Sequence, residues 1–147
     1  MTDKNLSLGR GPLSLAESEI LRALEKLPSG FSVTSGERLP LTDDDRRFAY
    51  ESDFVVSSPD ARRLYIEVKS ARALSLANLS RFIAIEHRIR ELGGRFLLLV
   101  LGQYDLDSSS SLRRLSEFKK LHIQSVRDDD EVVRAVTTEF RDLEPWL

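Results

Sequence analysis

The run Phe96-Leu97-Leu98-Leu99-Val100-Leu101 does most to limit what this chain can fold into. Six consecutive apolar residues without alternation, preceded by Gly93-Gly94, have the length of a strand and predict one that is covered on both faces. Such a strand lies inside a sheet that has helices packed against it, so the expected class is α/β.

The surrounding periodicities fill in the layers. Residues 76–92 carry Leu79, Phe82, Ile85 (or Ile83), Ile89 and Leu92 on one side, which predicts a long helix stopped by Gly93-Gly94. Ala16, Ile20, Ala23, Leu24 and Leu27 recur at helical spacing, so a first helix is expected to end near Leu27, before Pro28 and Gly30. Ser14 and Glu17 have the spacing of a capping box at its start. Residues 31–33 read as a short strand. Residues 35–47, with Gly36, Pro40 and the run Asp43-Asp44-Asp45, read as a polar loop. Residues 48–57 and 63–70 read as the two strands of a hairpin turning at Ser58-Pro59-Asp60. A short helix over 112–119, a strand over 122–126 and a last helix over 129–141 complete the order α-β-β-β-α-β-α-β-α, a mixed sheet flanked by helices. Residues 1–12, with Gly9, Gly11 and Pro12, form a flexible lead-in, and 13–147 form a single domain.

Composition narrows the chemistry. Cysteine is absent, which removes disulfides, thiol catalysis and cysteine-ligated metals, and fits a reducing, cytoplasmic setting. No segment approaches the roughly 20 apolar residues of a membrane span, and the start of the chain has no apolar core of a secretory signal. The net charge of −2 does not drive the whole chain onto nucleic acid, although a neutral domain with its own carboxylates can still carry a basic rim. Glycine-rich phosphate loops are missing, and His87 and His122 stand alone without metal-ligand spacing.

The chemistry concentrates in the hairpin. Strand geometry puts Leu64, Ile66 and Val68 on one face and Tyr65, Glu67 and Lys69 on the other. A carboxylate and an ammonium therefore point the same way from an apolar strand. If the strands pair, Asp53 at the start of the preceding apolar run comes close to Glu67. Two neighbouring carboxylates repel unless a cation lies between them, and Mg²⁺, which prefers hard oxygen ligands, suits the position. A lone Glu-x-Lys on a solvated strand face is the simpler alternative, an incidental surface ion pair of little energy.

Glu51-Ser52-Asp53-Phe54-Val55-Val56, a turn, and then Tyr65-Ile66-Glu67-Val68-Lys69 resemble the signature of the PD-(D/E)xK nuclease superfamily. The likeness covers residues 14–101 and implies a restriction-endonuclease-like αβββαβ core. It implies Asp53 and Glu67 as metal ligands, the Val68 carbonyl as a further ligand, and Lys69 as the catalytic lysine. It also implies Mg²⁺ as cofactor, with Mn²⁺ able to substitute. The segment Ala16-Glu17-Ser18-Glu19-Ile20-Leu21 is similar to the first helix of Holliday-junction resolvases, which adds Glu17 as a site residue; the alternative for Glu17 is the capping box with Ser14. Ser52 stands where the superfamily's name has proline.

The expected activity is hydrolysis of DNA phosphodiester bonds by a Mg²⁺-activated water, most readily as an endonuclease. Ser70 and Arg72, directly after Lys69, are expected to contact the nucleic acid. Arg46-Arg47 and Arg62-Arg63 are candidates for a phosphate rim, whereas Arg81, Arg88 and Arg90 fit a solvated helix face paired with Glu86 and Glu91. No reader motif is present, so a homodimer or a separate recognition subunit is the expected partner besides nucleic acid. Two alternatives remain at this stage: a catalytically inert binding or assembly module with the same fold, and a nuclease directed at RNA.

Overall fold

The computed structural model describes residues 15–40, 49–70, 76–101 and 121–141. The lead-in over 1–12, Ser14 of the capping box, the run Asp43 to Asp45, Arg46-Arg47, Arg72 and the helix expected over 112–119 lie outside these residues.

Helix α1 (Leu15–Leu24) is followed by β1 (Ser32–Ser35), β2 (Arg38–Pro40), β3 (Ala49–Glu51), β4 (Phe54–Ser57) and β5 (Arg63–Ser70). Then come α2 (Leu76–Glu91), β6 (Arg95–Leu101), β7 (His122–Val126) and α3 (Asp129–Arg141). Five strands form one sheet in the order β1-β4-β5-β6-β7; the first two pairings are antiparallel and the last two parallel. The fold is thus mixed α/β, with the order αβββαβ carried by α1, β1, β4, β5, α2 and β6.

The run that sets the fold behaves as its composition requires. In β6, Leu97 and Leu99 enter one buried cluster while Phe96, Leu98 and Val100 enter another. Helices α1 and α3 cover the first face through Ile20, Ala23, Leu24, Val132, Val136 and Phe140. Helix α2 covers the second through Leu79, Phe82, Ile85 and Ile89. Strand β5 alternates as expected, with Leu64, Ile66 and Val68 in the first cluster and Tyr65 in the second. Among the described residues, no helix is long and apolar enough to cross a membrane.

The ends of the elements are chemically marked. The Gly93 N–H donates to the Arg90 carbonyl and the Gly94 N–H to the Ile89 carbonyl, each at 3.0 Å, with Gly93 at φ 84°. This is a Schellman ending, which needs a left-handed residue just past the helix. Gly94 is required for a different reason: a Cβ there would lie 3.0 Å from Ile89 Cγ2, 3.2 Å from Tyr65 Cε1 and 3.3 Å from the Arg63 carbonyl. Gly94→Ala is therefore expected to cost about 1–3 kcal/mol by overpacking. Gly93→Ala, with open space around the Cβ, is expected to cost only its backbone strain, about 1 kcal/mol. Thermal melts of the two variants check the ranking. At α3, the Glu131 N–H donates to Asp128 Oδ1 at 2.8 Å, so the acidic run serves as a helix start.

Two expectations are corrected. The stretch over 35–47 is not wholly loop, because Arg38–Pro40 forms β2 and pairs with β3 in a separate two-stranded ribbon. Residues 48–57 are not one strand. The chain leaves the ribbon at Ser52-Asp53 and joins the main sheet at Phe54. Ser52 is fully buried at this break, where its N–H donates to the Glu37 carbonyl at 2.9 Å and its carbonyl accepts the Gly36 N–H at 3.1 Å. These bonds satisfy the backbone where the chain changes partners, as burial of polar groups demands.

Candidate functional site

The register of β4 against β5 sets Phe54 opposite Ile66 and Val56 opposite Leu64. One residue beyond β4, the same register brings Asp53 opposite Glu67. Both carboxylates are buried, each only 7% exposed. Asp53 Oδ2 accepts the Val68 N–H at 2.7 Å, taking the place of a ladder bond where β4 has stopped. A residue of an extended strand directs its N–H and C=O to the same edge, so the Val68 carbonyl is turned toward the side on which Asp53 lies. Lys69 Nζ lies 3.4 Å from Glu67 Oε2 and 6.0 Å from the centroid of the Phe82 ring. The ammonium is thus held between an acid and an aromatic face and is still partly open to solvent.

Electrostatics mark the pair as a site under tension. Burial, and then the Asp53 charge beside it, hold the Glu67 carboxyl above the usual carboxylate range; the hydrogen bond from Tyr50 and the Lys69 charge act the other way. The Tyr50 phenol is pushed well up by burial and by the Glu67 and Asp53 charges, against a smaller opposing effect of Arg81. It therefore remains a neutral donor.

A raised carboxylate pKa means that the folded state holds the proton more tightly than the unfolded chain. That stabilisation is complete below the unfolded value, about pH 4, and is lost as pH rises through the folded one. At neutral pH, in chelator, Glu67→Gln is accordingly expected to melt a few degrees higher than the parent. The gain should vanish on acidification to about pH 4.

Tyr50 was missed in the sequence. Glu51 shares the parity of Asp53 only if 48–57 is continuous. With the break at Ser52-Asp53, it is Tyr50 that reaches the site, its hydroxyl donating to Glu67 Oε1 at 2.8 Å, while Glu51 lies opposite Arg38 in the register of the ribbon. No local pattern in the sequence marks Tyr50, because its burial and its place in the ribbon arise only in three dimensions.

Glu17 lies in the first turn of α1, the helix layer that covers the Ile66 and Val68 face, with its Oε2 atom buried. Among the described residues no group of three His, Asp or Glu side chains is assembled for a metal; the structure brings together Asp53, Glu67, Val68 and Lys69. Ser70 ends β5 and is exposed.

The arginines at the other end of β5 do not form a phosphate rim beside this site. Arg62 pairs with Asp60 at 2.9 Å, donates to the Phe140 carbonyl at 2.9 Å and lies over the Phe140 ring. Arg63 pairs with Glu37 and lies over the Tyr65 ring. Six residues of strand separate Arg63 from Lys69, roughly 20 Å. Arg90 pairs with Glu86 at 3.2 Å and Arg88 with Glu91 at 3.8 Å, but the face is not wholly solvated: the Arg88 side chain is only 13% exposed and donates to the Pro40 carbonyl at 3.0 Å. A cleft of about 560 Å³ opens between α1 and the start of α3, lined by Arg22, Lys26, Arg127 and Asp128 to Asp130 among others. It contains no member of the buried carboxylate group, and its Arg22 and Lys26 already pair with Asp129.

The molecule is a mixed α/β protein in which paired carboxylates occupy the junction of two central strands. No family model and no curated protein matches the chain. It is similar to a chain in the structure of an EndoMS–dsDNA2 complex, at 17% identity and a TM-score of 0.46. That similarity covers 80% of this chain and 47% of the other, so the present chain spans about half the length of the protein it matches.

Proposed function

We propose that this chain is a metal-dependent nuclease that hydrolyses DNA phosphodiester bonds. The observation that carries the proposal is the juxtaposition of two buried carboxylates, Asp53 and Glu67, from adjacent strands, with the Lys69 ammonium on the same face. Burying two like charges side by side is costly, and a structure that does so without a chemical use is disfavoured. The donor set fits Mg²⁺, which binds through one or two carboxylates and keeps several waters. Asp53, Glu67 and the Val68 carbonyl would hold the ion. When bound, it supplies polarisation of a phosphoryl oxygen and a lowered pKa for the attacking water.

The remaining work falls to the protein's own groups. Lys69, partly open to solvent at the edge of the pair, offsets the negative charge that builds on the phosphoryl oxygens as water attacks. Its hold on Glu67 and its place above Phe82 fix where that charge can be met. Ser70 is exposed next to it and, with Arg72, is placed in sequence to take a neighbouring phosphate. Such contacts orient the backbone without reading its sequence. No group for covalent catalysis is needed, because positioning and charge neutralisation suffice for phosphoryl transfer to water.

Incubation with supercoiled plasmid and with short single- and double-stranded DNA and RNA, in Mg²⁺, Mn²⁺ or EDTA, tests the proposal. Cleavage of DNA that requires the metal and is lost in Lys69→Ala supports it. Folded protein that cleaves no substrate in either metal contradicts it, and cleavage confined to RNA contradicts the choice of substrate.

A further inference from the structure

We propose that Tyr50 is a positioning residue for Glu67, delivered to the site by the β2–β3 ribbon; the inference rests on the metal-centre reading above. Three observations lead to it. First, Tyr50 does not belong to the sheet that carries the carboxylates. It sits in β3, pairs in register with Leu39 of β2, and reaches across to Glu67 from that separate ribbon. Second, its ring is fixed before the hydroxyl is used. Tyr50 is only 2% exposed, packs in the same cluster as Leu39, and meets Phe96 edge-on at 6.3 Å between centroids. Third, the two oxygens of Glu67 have different neighbours: Oε1 accepts the Tyr50 hydroxyl at 2.8 Å, and Oε2 faces Lys69 Nζ at 3.4 Å.

A glutamate side chain has three rotatable bonds, and burial alone does not select the rotation of its carboxylate plane. A rigid donor on Oε1 does. With that oxygen tied to the phenol, Oε2 is turned to the side on which Lys69 lies. Hydrogen-bond partners of this kind orient metal ligands, and their removal commonly weakens metal binding by about ten- to a hundredfold. The ribbon gains a purpose from the same geometry. Residues 36, 37 and 52 are stitched together by backbone hydrogen bonds at the point where the chain passes from β3 to β4. Tyr50 and Asp53, three residues apart, are therefore fixed relative to one another across the break.

Manganese binding by the full chain, followed by electron paramagnetic resonance of free Mn²⁺ without any substrate, tests the proposal. Tyr50→Phe removes one oxygen and keeps the ring against Phe96. Its affinity for Mn²⁺ is expected to fall by about tenfold or more while its melting temperature stays within a few degrees of the parent. Leu39→Ala leaves the phenol but removes the packing under the ribbon, and is expected to shift affinity in the same direction. Mn²⁺ affinity unchanged in both variants, with binding lost in Asp53→Ala, overturns the role of Tyr50 and leaves the metal centre standing. No Mn²⁺ binding by the parent chain overturns the metal centre, and Tyr50 with it.

Discussion

Lys69→Ala is expected to lower metal-dependent DNA cleavage by about a thousandfold while Mn²⁺ affinity changes little. Removing a preorganised charge that meets the transition state typically costs 10²–10³ in rate, or roughly 3–4 kcal/mol. Lys69 is suited to that role because its ammonium is already held at 3.4 Å from Glu67 Oε2 and need not be reorganised during reaction. Asp53→Ala is expected to abolish cleavage by a different route, by losing the metal. The two are separated by titrating Mg²⁺: excess metal should leave Lys69→Ala slow, but should partly restore a variant whose defect is affinity. Asp53→Ala also strips the Val68 N–H of its acceptor, at a cost of about 1–3 kcal/mol for a buried donor. Asp53→Asn, which retains an oxygen for that N–H, is therefore the cleaner variant and should lose cleavage with less loss of stability. Lys69→Ala with cleavage rates near those of the parent would remove the lysine from the mechanism.

The largest expected effect on stability is at Phe54, the residue after Asp53. Phe54 is fully buried, opposes Ile66 on β5 and belongs to the cluster shared by α1, α3 and the sheet. Phe54→Ala is expected to destabilise by about 3–5 kcal/mol, the lost transfer energy plus the cavity. For a chain of this length that corresponds to a drop in melting temperature of roughly 10–15 °C. The exposed Leu92 is the control: Leu92→Ala should change stability by less than about 0.5 kcal/mol. Because Phe54 anchors the first residues of β4, its loss should also loosen Asp53, so any cleavage activity should fall before global unfolding.

Both predictions follow from how the chain encodes its strands. Strand β5 was legible because a period of two separates Leu64, Ile66 and Val68 from Tyr65, Glu67 and Lys69, and the two buried clusters divide Leu64, Ile66 and Val68 from Tyr65 in the same way. Strand β6 was legible because a continuous apolar run needs cover on both faces. Helix α3 announces itself through Asp128 and its apolar stripe, and α2 through its stripe and the two glycines. The β2–β3 ribbon was not legible. Arg38-Leu39-Pro40 is short, contains a proline, and becomes a strand only because residues 49–51 fold back on it. Parity was the other casualty. Counting alternate residues back from Asp53 points to Glu51, yet the chain changes sheets at Ser52-Asp53, and the count does not survive that break. Tyr50 therefore emerged only from three-dimensional contacts, whereas Asp53, Glu67 and Lys69 could be picked from local pattern.

Placing the metal is the most direct test of the central claim, and iron-directed cleavage of the protein does this without any nucleic acid. Fe²⁺ loaded in place of Mg²⁺, with ascorbate and peroxide, generates radicals that cut the backbone near the bound ion, and mass spectrometry locates the cuts. Cuts clustered at residues 52–54 and 66–69, suppressed by excess Mg²⁺ and absent in Asp53→Asn, are the predicted result. Cuts centred instead on the acidic start of α3 at Asp128 to Asp130, or insensitive to both Mg²⁺ and Asp53→Asn, would contradict a metal centre between β4 and β5.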